Sequence, residues 1–444
     1  MIRRRYIRTF ASLLVLAVLA LAPAQAAAGE RLIVRTSGLL DLPVVKSLCR
    51  LVGCNVLYGL DGTLGKLLLV QIPDGLNVPL VINLLETVPG VSVELDQIVH
   101  TQQNNATATH APLALYDKEP VNYYGTTVRG GYVRQPAMDI LDVLDAHRSY
   151  GVTGQNVTVA IIDTGVDPHP AFKSVLLPGY DFTRNRDGGS EKSDVNQSTM
   201  AILDGNPGFV NQSTMAILDQ STMAILDGPD YAAFGHGTMV AGVVHLTAPR
   251  ARILPLKAFK ADGSGYASDV LRAIYTAVNQ DADVLNMSFS FATRSRELEN
   301  ALNYATGRGI VAVASTGNNG QRINVYPASL SNVIGVASST DWDTLSNFSN
   351  YGPSVAWIAA PGEAIVSTYP FGSYAAAWGT SFSTPFGSGT AALLIELNGR
   401  ITPSQTADAE GQGVRFTDEV RKGRLHVPSA LRAGRPTLLP LKLW

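Results

Sequence analysis

Three short segments hold residues whose types and spacing could do chemistry. Asp163 opens Asp163-Thr164-Gly165, His236 lies in Gly235-His236-Gly237-Thr238, and Ser381 lies in Gly379-Thr380-Ser381-Phe382-Ser383-Thr384-Pro385. A serine hydroxyl is a weak nucleophile at neutral pH. It becomes reactive when a base takes its proton and a third group holds that base in the useful tautomer. Asp, His and Ser form such a set, and here they follow one another in an order used by one known type of triad.

The elements around these residues are those that could position them. Asp163 follows the apolar run Val157 to Ile162, which reads as a buried strand. His236 precedes the helical run Met239 to Val244, and Ser381 leads into the helical run Gly387 to Leu394. Both would sit near a helix N-terminus, where unpaired backbone N–H groups can stabilise an oxyanion. The amphipathic stretch Pro136 to His147 is expected as one helix opening this domain. Further strands are expected at Arg252 to Phe259, Val284 to Phe289 and Ile310 to Ala314. Between them, Val270, Leu271, Ile274, Ala277 and Val278 recur at helical spacing over Tyr266 to Asn279, and Leu298, Leu302 and Ala305 mark another helix. This alternation predicts an α/β fold, a mostly parallel sheet with helices on both faces, with its site at the carboxyl ends of the strands.

Taken together, the motifs resemble those of the subtilisin-like serine proteases over about residues 135–435. The resemblance implies a secreted endopeptidase working through an acyl-enzyme, with Asp163, His236 and Ser381 as its triad. It makes Asn318, in Gly317-Asn318-Asn319-Gly320, the oxyanion-hole donor, and places Tyr326-Pro327 where the family commonly has a cis-proline. Asp262-Gly263-Ser264-Gly265 and Asn286-Met287-Ser288 look like the two edge strands that hold an extended peptide by main-chain hydrogen bonds. Gly263, Ser264, Gly265, Ser288, Phe289 and Ser290 are therefore the candidate substrate-binding residues. The chemistry implied needs no cofactor, with structural calcium an option for the loop carboxylates Asp181, Asp187, Asp194 and Asp230. Two departures bear on substrate binding. Ser290 and Phe291 stand where relatives usually have two glycines, and a long insertion separates Asp163 from His236. The alternative reading is a binding protein on the same scaffold, its subsites blocked by these changes.

Upstream, residues 31–100 carry strand and helix signals in the order β-α-β-β-α-β, expected as a small ferredoxin-like α+β domain. By position it looks like the family's propeptide, which would make it an intramolecular inhibitor and chaperone. The polar stretch after it suggests a linker over 101–134. Residues 1–28 combine the basic Arg3-Arg4-Arg5, an apolar run from Phe10 to Ala22 and small residues after Pro23, the layout of a secretory signal. Cys49 and Cys54 could pair in an oxidising compartment. Gln-Ser-Thr-Met-Ala-Ile-Leu-Asp occurs at 197–204, 212–219 and 220–227, a local duplication within the 197–227 insertion.

Composition narrows the partners. With 46% hydrophobic residues in 444, general disorder is excluded. The net charge of −2 gives no electrostatic footprint for nucleic acid. A monomer without a membrane anchor, acting on polypeptides, is expected. Among the other histidines, His245 reads as packed in a helix, His147 as the cap of a surface helix and His169 as a loop residue.

Overall fold

The computed structural model describes residues 29–38, 41–101, 111–195, 210–211, 216–218 and 229–436. The expected signal segment and most of the insertion lie outside these residues. The chain divides into two compact units, one ending at Gln97 and the other starting at Ile98.

The first unit has the expected element order. Strands Asn55–Gly59, Leu67–Gln71, Arg31–Arg35 and Ser92–Leu95 lie side by side in that sequence, all antiparallel. Helix Leu42–Val52 carries Pro43 in its first turn and ends at Gly53, where φ is 88° and a glycine is favoured. Helix Val78–Leu85 is capped by Asn77, whose side chain accepts from Leu80 N at 3.2 Å. Alternate residues Leu32, Val34, Leu68, Val70 and Ile72 face the helical residues Val45, Val81 and Leu85 in one core. Cys49 and Cys54 belong to that core as free, buried thiols, so the pairing considered from sequence is absent from this structure.

The second unit is built on an eight-stranded sheet. Its order is Arg186–Asp187, Tyr180–Asp181, Arg252–Lys257, Thr158–Asp163, Val284–Met287, Val311–Ser315, Val333–Ser339 and Ile358–Pro361. Every pairing is parallel except the first. The central strands are buried along their whole length, as a sheet covered on both faces requires. One helical layer contains His236–Thr247 and Thr380–Leu397, which pack on each other and on the central strands; Ala267–Asn279 and Arg296–Thr306 pack together in another. Fully buried Ile161 and Val313 each contribute about 1.5–3 kcal/mol by leaving water.

Two expectations need correction. The helix expected over Pro136–His147 is broken into Pro136–Ile140 and Val143–Tyr150, with Asp142 between them at φ 52°. The linker expected over 101–134 is structured over much of its length. Strands Pro120–Tyr123 and Thr126–Arg129 form a hairpin, and Tyr123, Val128, Tyr132 and Val133 join the main core of the unit. The hydroxyls of Tyr123 and Tyr132 reach the carbonyls of Leu246 and Gly242, each at 2.5 Å, fastening this segment to the helix that starts at His236. Among the described residues, no helix is long and apolar enough to cross a membrane.

Within the insertion, the backbone of Ala216–Leu218 pairs antiparallel with Ser373–Ala377, matching Ile217 to Ala376. Residues 216–218, within one copy of the duplicated sequence, therefore lie beside the strand that leads to Ser381.

Candidate active site

Asp163 is the last residue of its strand and is wholly buried at the carboxyl end of the sheet. His236 is the first residue of its helix, also buried. The two meet through His236 Nδ1 and Asp163 Oδ1 at 2.7 Å, and the same oxygen accepts from Thr164 N at 2.7 Å. A proton held on Nδ1 leaves Nε2 as the basic nitrogen. Burial alone would push the imidazole pKa down. The charge and hydrogen bond of Asp163, with the charge of Glu191, outweigh burial and set the net direction upward.

Ser381 is the second residue of helix Thr380–Leu397. Its neighbour Phe382 packs against the His236 ring, with centroids 5.4 Å apart. Among the described residues, Ser381 Oγ donates to Ser288 O at 3.1 Å rather than to His236, and Ser288 Oγ donates to Ser381 O at 2.9 Å. The structure thus joins Asp163 to His236 directly and brings Ser381 alongside through helix packing.

Asn318 follows the end of strand Val311–Ser315. Its Oδ1 accepts from Thr380 N and Thr380 Oγ1, both at 2.9 Å. A backbone N–H can only donate, so the amide orientation is fixed and Nδ2 remains the donor end, next to the residue that precedes Ser381. The Tyr326–Pro327 bond is cis.

The expected substrate-binding residues fall in two places. Strand Ser264–Tyr266 is paired antiparallel with Ile98–His100, matching Gly265 to Val99, and Thr101 N donates to Gly263 O at 2.7 Å. Gly263 has φ 81°, and a Cβ there would meet Thr101 Oγ1 at 2.4 Å, so only glycine permits this approach. Ser288 lies against Ser381, whereas the Phe289 ring is fully buried between Phe259 and Phe291. Ser290 Oγ lies 3.5 Å from where a Cβ on Gly317 would be.

Of the other histidines, His147 departs from the sequence reading, while His169 lies in a loop and His245 is packed in its helix as expected. His147 is buried and bonds Thr247 O through Nε2 at 2.7 Å. His169 is buried against Ser373 O, and burial pushes its pKa down to about 4. His245 is packed as expected, stacked on Tyr132, with burial first and the charge of His169 second pushing it down to about 3. The loop carboxylates do not suit calcium. Asp181 is engaged by Thr183 and Arg184, and Asp194 by Arg184 and Lys257, so cationic side chains already supply the charge a metal would bring. Asp187 and Asp230 are exposed, and no group of three metal-ligating side chains gathers among the described residues.

Thr164, Thr238 and Thr380 hold the site together, and each stands inside a motif where it could have been noticed. Glu191, which accepts from both ends of the Asp163–His236 arrangement, stands in a polar loop with nothing in the sequence to mark it.

Comparison with known proteins finds sequence relatives of one class, serine proteinases, and a solved structure with the same fold. The thermophilic serine proteinase of Bacillus sp. (strain AK1) is 37% identical over 275 residues, covering 60% of this chain and 60% of that protein. Thermitase of Thermoactinomyces vulgaris is 33% identical over 296 residues, 63% of this chain and 90% of thermitase. The crystal structure of fervidolysin from Fervidobacterium pennivorans, described as a keratinolytic enzyme related to subtilisin, superimposes with a TM-score of 0.68 at 19% identity. It covers 94% of this chain and 63% of its own. Residues 154–417 match the sequence model of the Subtilase family, and the chain belongs to that family of subtilisin-like serine endopeptidases.

Proposed function

We propose that the chain is an exported endopeptidase whose Ser381 forms an acyl-enzyme. Ser381 Oγ attacks the peptide carbonyl carbon while His236 Nε2 removes its proton. The proton then passes to the departing amine, leaving an ester on Ser381. Water deprotonated by His236 hydrolyses that ester and restores the hydroxyl. Asp163 holds His236 in the required tautomer, and Asn318 Nδ2 with the Ser381 amide stabilises the oxyanion. The observation that carries this reading is the buried 2.7 Å link between Asp163 and His236, beside the start of the Ser381 helix.

Residues 31–100 act in this reading as an inhibitor and folding aid, removed by cleavage in the segment that follows. The pairing of 98–101 with the Gly263–Tyr266 edge supports it, because an extended piece of the chain lies where a peptide is expected to bind. The apolar run behind a basic start in residues 1–28 supports export.

A serine-reactive fluorophosphonate tests the nucleophile. Labelling of the processed chain is expected, with none in Ser381→Ala and an uncut precursor accumulating in that variant. Absence of labelling in folded, processed wild type would favour a binding protein on a protease scaffold.

A further inference from the structure

Glu191 is fully buried, yet it belongs to none of the roles assigned above. Its two carboxyl oxygens are divided between the two halves of the site. Oε2 accepts from Thr164 Oγ1 at 3.2 Å, next to Asp163, and from the backbone N–H of Gly235, next to His236. Oε1 accepts from Thr238 N at 2.8 Å and Thr238 Oγ1 at 2.6 Å, in the first turn of the His236 helix. Backbone N–H groups can only donate, so each oxygen presents a lone pair to the helix start, the arrangement an ionised carboxylate prefers there. Gly165, at φ 111°, allows the approach: a Cβ on it would meet Gly189 O at 2.6 Å and Glu191 N at 3.0 Å.

The charges around Glu191 come from every neighbouring element. The Asp163 strand contributes Asp163 itself, and the helix contributes His236. Strand Arg252–Lys257 contributes Lys257, whose Nζ donates to Asp194 Oδ2 at 2.7 Å and to Thr164 O at 2.6 Å. On its own turn, Lys192 pairs with Asp167 at 2.9 Å, and Asp194 pairs with Lys257 and Arg184. Burial pushes the Glu191 carboxyl up to about 7, opposed by the Thr238 hydrogen bonds, the charge of Lys257 and the Gly235 amide. Ionised, it adds to Asp163 in favouring a charged His236.

We infer that Glu191 is a positioning residue for the proposed reaction: it clasps the Asp163 strand end to the His236 helix start and adds a second negative charge that acts on the imidazole. The inference rests on the triad reading, so its test includes a measurement that needs no turnover. In the full chain carrying Ser381→Ala, the low-field NMR resonance of the His236 Nδ1 proton is followed against pH. Adding Glu191→Gln should shift its titration to lower pH by about half a unit or more, since a nearby negative charge is lost.

In the active chain, normalised by active-site titration, Glu191→Gln should lower kcat/KM by about tenfold and Glu191→Ala by up to about 100-fold, mostly in kcat. The acid limb of the kcat/KM profile should move in the same direction as the resonance. Glu191→Asp should recover part of the pH behaviour. A His236 titration and acid limb unchanged in folded Glu191→Gln would overturn the inference, even if its stability fell. A titration shifted by Glu191→Gln, together with a wild-type chain that never hydrolyses peptides, would leave the clasp standing and remove the endopeptidase reading. Where Glu191→Ala does not fold, Glu191→Gln and Thr238→Val carry the same comparison.

Discussion

Two fully buried glutamates, in two regions of the second unit, are treated in opposite ways. Glu191, at the carboxyl end of the sheet, receives four hydrogen bonds and faces Lys257 across the Asp163 strand end. Among the described residues, Glu410, the last residue of helix Pro403–Glu410, has no hydrogen bond to either carboxyl oxygen. Burial drives the Glu410 pKa well above the ordinary carboxyl range, and nothing offsets it. A buried carboxylate is retained as a charge only where donors are built around it. The site region is built in that way, and the helix end at Glu410 is not.

The largest expected effect comes from neutralising the third carboxylate in this comparison, Asp163. Asp163→Asn keeps the shape of the side chain but can donate to His236 Nδ1, which favours the wrong tautomer. A fall in kcat of about 10⁴-fold is expected, measured on a peptide substrate with the protein still folded. Next comes Asn318, held by Thr380 as Glu191 is held by Thr238. Asn318→Ala should lower kcat by about 10²–10³-fold with KM little changed. An unchanged kcat would remove this amide from the oxyanion hole.

Glu410 sharpens the contrast through stability. Because its folded pKa is raised, the folded chain keeps a proton that the unfolded chain releases above about pH 4–5. Stability is therefore greatest at or below that pH and falls as pH rises toward the folded value. Glu410→Gln should remove this loss and gain about 1–3 kcal/mol in alkaline buffer, read as a higher Tm at pH 9 but not at pH 4. An equal change at both pH values would show that packing, not ionisation, sets the cost.

The smallest effect is expected from excising residues 197–219, which joins Asn196 to Gln220. The copy at 220–227 repeats the Ala-Ile-Leu sequence that at 216–218 pairs with the Ser373–Ala377 strand. Loop-closure entropy changes by only about 0.6 kcal/mol per doubling of length. Folding and peptidase activity within tenfold of the parent are expected. A larger fall in kcat/KM, with fluorophosphonate labelling intact, would make the insertion part of the substrate-binding surface.

The sequence made the sheet and the three motifs legible because each is written in consecutive residues. Apolar runs such as Val157 to Ile162 reveal a buried strand by themselves, and Asp163 sits at the end of one. What stayed hidden depends on contacts across the chain. His147 reads as the cap of a surface helix, whereas it is buried and bonded to Thr247 O, a contact 100 positions along the chain. The hairpin at 120–129 lies in a polar stretch and is held by tyrosines that reach the His236 helix. Glu191 has no motif, and the groups that make it useful lie 27 to 47 positions away.

The clasp at Glu191 has a consequence for how this gene can drift. Glu191 precedes the duplicated stretch, and its partners Gly235 and Thr238 follow it. Side-chain bonds thus tie the two flanks together upstream and downstream of every repeat copy, and Ala233 N is pinned to Ala261 O at 2.7 Å on the downstream side. Copy-number changes between these anchors, of the kind replication slippage produces in tandem repeats, are expected to leave Asp163 and His236 in place. A guest domain with neighbouring termini, spliced between residues 197 and 227, is expected to leave the Asp163–His236 link intact, because the Glu191 anchors flank the spliced stretch.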